Sequence, residues 1–344
     1  MTSFRAPHLA RILLVVLYVP LALLASCQPP PAVEPDNIFW PLPPNQPRIK
    51  YVRSIFTEDD IGRVYSFREK LFGKDYFDGL VRPYGVSARQ GRIYVSDIVQ
   101  RRVIVFDLAS KRLFPVGQEG GVALPASAVA DADGNIYVAD SGASKVVKYD
   151  AEGHYRTSYL LEGGKAVAVA VNDKLARLYV ADRAMHRIAV FGLDGTKLFV
   201  FGGLGVGDGQ FNIPLDVTVD RAGRVYVLDN GNFRVQVFSP DGEFLRRFGS
   251  VGDGPGMFAN PKGIAVDSED HVYVTDAAFG NFQIFDGEGN VLLFVGEAGF
   301  GPGLFHLPAG IAIDEKDRIY VADQLNGRIQ EFQYLHEAAP TAQP

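Results

Sequence analysis

A pentapeptide ending in aspartate recurs six times in this chain: IYVSD at Ile93–Asp97, IYVAD at Ile136–Asp140, LYVAD at Leu178–Asp182, VYVLD at Val225–Asp229, VYVTD at Val272–Asp276 and IYVAD at Ile319–Asp323. Successive copies start 43, 42, 47, 47 and 47 residues apart. Repeats of this length cannot bury their apolar faces alone and must stack on their neighbours. The unit is written most fully over Pro261–Gly296, where four apolar runs (GIAVD, HVYVTD, FQIF and NVLLFVG) are separated by Asp, Gly and Asn clusters. That is a succession of strands and tight turns. Four strands in a period of about 40 to 50 residues make a propeller blade. The expected fold is therefore all-β: one six-bladed β-propeller of four-stranded antiparallel blades, spanning residues 48–336.

The sixth unit has only three strands before the chain runs into HEAAPTAQP. Arg48–Phe56 has the length and alternation of the missing fourth strand, so it is expected to pair with Arg328–Gln333 and leave no open sheet edge. Residues 57–82 form an insert before the first unit. Val64, Phe67 and Leu71 fall at helical spacing there, with Asp59 or Asp60 as N-cap and Gly73 as stop, which predicts a helix of two or three turns. Residues 337–344 read as a disordered tail.

At the other end, Arg5 and Arg11 precede ILLVVLYVPLALLA, 14 apolar residues and too few to span a membrane, which takes roughly 20. Residues 1–26 read as a signal peptide. Leu24-Ala25-Ser26-Cys27 resembles the bacterial lipobox, and the resemblance implies that Cys27, the only cysteine, is acylated. Two or more acyl chains suffice for stable anchoring, each buried CH₂ contributing about 0.8 kcal/mol. Gln28 in place of Asp implies, by the same resemblance, the outer membrane of the cell envelope. Residues 27–47 carry eight prolines and read as an extended tether, at about 3.1 Å per residue, interrupted by Ile38, Phe39 and Trp40. Removing residues 1–26 leaves 32 Lys+Arg against 40 Asp+Glu. An acidic protein outside the cytoplasm is poorly suited to nucleic acid, which is bound by neutralising phosphates.

The pattern P-x-G-I-A-V-D, I-Y-V-A-D, R-I-Q-V-F and a glycine-rich connector resembles the NHL repeat, from Pro83 to Phe332 and most strongly in units four to six. Some enzymatic propellers, the peptidyl-hydroxyglycine lyases, are similar in shape, and that resemblance implies zinc-binding histidines near the residue after the leading Pro. Here those places hold Tyr84, Ala126, Leu215, Lys262 and Ala309. His186 alone sits in a lyase-like segment, and one imidazole cannot make a three-ligand zinc site. No cofactor or metal is expected.

In such a blade, the loops between strands one and two and between three and four leave from one end. Those ends are short Asp/Gly hairpins with little room for a site. The other end carries the loops that differ between blades, together with the glycine-rich connectors. Its candidate binding residues are Arg101, Arg102, Lys145, Arg183, His186, Arg187, Asn232, Arg234, Asn281, Asn326 and Arg328, joined by Asp216, which stands where units one, five and six have Gly85, Gly263 and Gly310. A basic rim on an acidic protein attracts an anionic partner, although a basic residue opening the third strand can also pair with the motif aspartate. The expected function is a monomeric, membrane-anchored, non-enzymatic scaffold that binds an extracytoplasmic protein, peptide or glycan. The alternative is a metal-dependent lyase or lactonase-like hydrolase at the channel mouth.

Overall fold

The computed structural model describes residues 38–42, 44–72 and 79–336. Cys27, the signal segment, most of the tether, Gly73 and the 337–344 tail lie outside the described residues. Six antiparallel sheets surround a channel, and each is one blade. In blade 1 the strands are Pro83–Arg89, Arg92–Asp97, Arg102–Asp107 and Arg112–Val116, ordered from the channel outward. Blades 2 to 5 repeat this order, with inner strands Pro125–Ala130, Ala166–Asn172, Pro214–Val219 and Pro261–Val266. The tyrosines of the pentapeptide are fully or nearly fully buried between blades, where large aromatics supply most of the buried apolar area.

Blade 6 is assembled from both ends of the chain. Its first three strands are Pro308–Ile313, Arg318–Asp323 and Arg328–Tyr334, and Ile49–Ile55 pairs antiparallel with the third, Ile49 opposite Tyr334 and Ile55 opposite Ile329. Phe39–Trp40 adds a fifth strand outside Ile49–Ile55. Ile38, Phe39 and Trp40, whose place is ambiguous in the sequence, are thereby part of the propeller. Trp40 stands edge-on to Phe332 with ring centroids 5.7 Å apart.

The expected single helix is two pieces. A 3₁₀ turn, Glu58–Ile61, is capped by Thr57 rather than by Asp59 or Asp60, with the Asp60 side chain closing a reciprocal capping box. An α-helix covers only Phe67–Phe72. Gly62, at φ +82°, breaks the run between them. The 3₁₀ turn lies against blade 1, where Leu113 N donates to the buried Glu58. Val64, Phe67 and Leu71, predicted to share an apolar face, are exposed.

Candidate functional site

The six motif aspartates explain most of the variable-loop face. Asp97, Asp140, Asp182, Asp229, Asp276 and Asp323 are fully buried. Each accepts backbone N–H groups from the segment entering its blade: Arg82 to Asp97, Leu124 to Asp140, Lys165 to Asp182, Asn212 to Asp229, Asn260 to Asp276 and His306 to Asp323. Arg187, Arg234 and Arg328 pair with the aspartates of their own blades at 3.1, 2.9 and 2.8 Å. Arg234 and Arg328 are themselves buried, and their guanidinium groups clamp connector carbonyls at Gly207 and Gln210 and at Gly301 and Leu304. Asn232 and Asn326 bridge the same aspartates to Gly205 and Gly299. Lys145 donates to Gly120 O, and His186 Nδ1 accepts from Ile213 N. Asn281 opens the third strand of blade 5, where blades 4 and 6 have arginine, and its Oδ1 is buried without a partner.

These clamps fix two of three glycine-rich connectors of one shape, and Gln283 holds the third, accepting from Gly256 N and donating to Met257 O. Leu204 bridges Phe211, Val251 bridges Phe258 and Ala298 bridges Phe305. Each phenylalanine is fully buried as a wedge. Glycine is required at the strand end below it: at Gly249, φ +88°, a Cβ would lie 2.4 Å from the Phe258 ring. So held, the connectors present Leu204, Val206, Val251 and Phe300 outward, each 66–76% exposed.

The channel mouth on this face is built by a shared irregularity. Every inner strand shifts register just after its first residue, between Pro83 and Gly85 in blade 1 and between Pro261 and Gly263 in blade 5. Such a bulge re-aims the extra side chain, here the residue after the first of each inner strand, which is proline in every blade but the third. Tyr84, Ala126, Val167, Leu215 and Lys262 line the mouth, which narrows to about 30 Å³. Arg183, exposed beside it, helps push the Lys262 amine below its ordinary range, a shift due first to burial. The Tyr84 phenol is raised, again mainly by burial. Tyr84 and Lys262 thus join Arg183 as mouth residues. Neither is singled out by residue type, and only their position after the proline marks them in the sequence.

Asp216 sits at the base of this mouth. At Gly85, Gly263 and Gly310 the next blade comes too near for a side chain; at Gly263 a Cβ would meet Ala309 O at 2.7 Å. At the junction of blades 4 and 5 the carboxylate instead accepts from Val217 N and from Ile264 N, both at 2.9 Å. It opens only onto the narrow lumen, and burial pushes its carboxyl up to about 7 against the lowering effect of those two N–H donors. Asp216 is thus a staple between blades as well as a mouth residue.

Beyond it the lumen is walled by Val86, Val129, Val169, Val217, Ile264 and Ile311, with a volume of about 190 Å³. It widens to about 310 Å³ at the hairpin end, which corrects the expectation of little room there. The carboxylates around that wider mouth serve the turns: Asp220, Asp267 and Asp314 each bind turn N–H groups and the hydroxyl of Tyr226, Tyr273 or Tyr320. Asp131 does the same with Tyr137 in the hairpin turn Asp131–Asn135. Among the described residues, one group of three potential metal ligands lies close together: Asp150, Glu152 and His154, in an outer turn of blade 2. Asp150 there already accepts from Glu152 N, His154 N and Arg156.

The family model described as NHL repeat matches residues 211–238, 258–285 and 305–332. Blades 4 to 6 are NHL repeats. Each matched stretch runs from a wedge phenylalanine into a third strand, so the NHL pattern contains the wedge, the bulge and the motif aspartate. No curated protein matches the chain significantly. Among solved structures the ring is similar to an auxiliary nutrient binding protein from Bacteroides thetaiotaomicron (13% identity, 76% of this chain and 71% of that one, TM-score 0.60). It is also similar to a streptogramin B lyase (15% identity, 74% and 94%, TM-score 0.57). A third similar structure is that of a nidogen/laminin complex (15% identity, 71% and 88%, TM-score 0.55). At these identities the likeness is one of fold.

Proposed function

We propose that this protein is a non-enzymatic propeller that binds an acidic protein or peptide through its variable-loop face. It is held at the cell envelope, at the outer membrane, by acyl chains on Cys27. The observation that carries the reading is the juxtaposition on one face of an outward apolar arc, Leu204, Val206, Val251 and Phe300, with the cationic mouth group Arg183 and Lys262. Exposed apolar side chains rimmed by charge mark interaction surfaces, and apolar contacts favour a protein over a glycan. The connectors are rigidly clamped, so little ordering cost accompanies binding. That one of the similar structures is a nutrient binding protein and another a complex of two proteins is consistent with a ring used for binding.

A photo-crosslinking residue placed at Phe300 tests this in cells. Discrete adducts from that position, abolished by Arg183→Glu with Lys262→Glu and absent when the crosslinker replaces Asp241 in a blade 4 hairpin, are expected. Equal adducts from both ends of the ring would refute the assigned face. One equivalent of metal in the purified protein, lost in Asp216→Ala, would replace the scaffold with the metal-dependent enzyme.

A further inference from the structure

Where the chain enters the propeller it lays down an apolar groove. Phe39, Trp40 and Leu42 form one wall, and Phe294 and Leu304, from the outer strand of blade 5 and the connector after it, form the other. The groove has a volume of about 880 Å³, and among the described residues Glu297 is the one charged residue lining it. Leu42 is 71% exposed and Phe294 40%. The wall is firmly held: Tyr51 N donates to Ile38 O and Arg48 N to Trp40 O. Gly303, at φ +73°, leaves the space that the Trp40 ring fills, since a Cβ would lie 2.6 Å from it. Lys50 stands 5.9 Å from the centroid of the Phe39 ring at the groove's edge.

We propose that this groove is a bilayer-docking surface, by which the tethered ring lies with the outer wall of blades 5 and 6 on the lipid. The proposal rests on the lipoprotein reading of Cys27. That residue precedes Ile38 by 11 positions, so a polyproline-like tether reaches about 34 Å at most. The surface nearest the attachment point therefore meets the bilayer first. There it offers a tryptophan, two phenylalanines, a leucine and a lysine, the residues that settle at a lipid interface. A free peptide gains nothing from the tether, whereas the bilayer is presented to this groove at high effective concentration. Docking on the outer wall leaves both mouths of the channel open.

Trp40 is the only tryptophan in the chain, so its fluorescence reports on this groove alone. The test uses the full acylated protein in phosphatidylcholine–phosphatidylglycerol vesicles, with and without lipids brominated near the headgroup end of the acyl chain. An emission loss of about twofold or more in the brominated vesicles is expected. It should disappear in Leu42→Asp with Phe294→Asp, which stays anchored through Cys27. Anchored protein whose Trp40 is not quenched overturns the docking surface and leaves the anchor standing. Protein with no acyl mass on Cys27 and no vesicle association overturns the lipoprotein reading, and docking falls with it. A concentration-dependent dimer that shields Trp40 equally well without lipid assigns the groove to a second copy instead.

Discussion

The Asp216 carboxylate of blade 4 accepts the backbone N–H of Ile264 in blade 5 at 2.9 Å, spanning a junction that glycine closes by direct approach in blades 1, 5 and 6. Its carboxyl is raised from 3.8 to about 7 by burial. Between those values the unfolded chain has released the proton and the folded one retains it, so stability falls as pH rises through this window. The two values bound the effect at roughly 4 kcal/mol. Asp216→Asn, which keeps an acceptor and cannot ionise, should flatten this slope. Melting curves from about pH 5 to about pH 8.5 should show the variant gaining on the wild type at the alkaline end, and parallel curves would contradict the shift.

His271 should give a slope of the same sign from a different cause. Its imidazole is raised above 6.5, first by the hydrogen bond to Asp267 at 2.9 Å. Its stabilisation is complete below its unfolded value and is lost as pH rises through its folded one. His271→Ala should therefore cost about 1 kcal/mol near pH 5 and less near pH 9. NMR titration of the ring checks the direction, and a midpoint below 6.5 would reverse the prediction.

Removing a motif aspartate should be among the most damaging single changes on the loop face. Asp229→Ala strands the buried Arg234 and frees Asn232, Gln236 and the N–H of Asn212. Losing one partner of a buried pair costs about 3–5 kcal/mol. Urea denaturation should show that loss, whereas Arg101→Ala, at an exposed position, should change stability by less than about 0.5 kcal/mol.

The closure of blade 6 is tested by shortening either end. Phe332 meets Trp40, Tyr51, Phe282 and Phe305, and Phe332→Ala should cost about 3–5 kcal/mol. Deleting residues 48–56 should lower the thermal transition at least as far. An unchanged transition after that deletion would show that the ring does not depend on the paired ends.

The ring was legible because its signals repeat. The pentapeptide, the period and the missing strand of unit six together require six blades and the pairing of Ile49–Ile55 with Arg328–Tyr334. The loop face was less legible because residue type does not say where a side chain is used. Arg234 and Arg328 look like rim charges and are buried clamps, whereas Lys262 looks like an ordinary strand residue and is turned into the mouth by a bulge. The insert misled for a local reason: helical spacing at Val64, Phe67 and Leu71 gives no warning that Gly62 takes a left-handed conformation.

Blade 6 also sets a condition on how the chain acquires its structure. Arg53 and Glu331, ion-paired at 2.6 Å, are 278 positions apart. A strand made near the start of the chain is thus among the last to find its blade. Until then Ile49–Ile55 is an apolar strand with an unpaired edge, waiting while five complete blades form beside it. Contacts of such separation slow folding and lengthen exposure to aggregation. Truncation near the C-terminus should accordingly yield an open arc with free β-edges rather than a smaller ring.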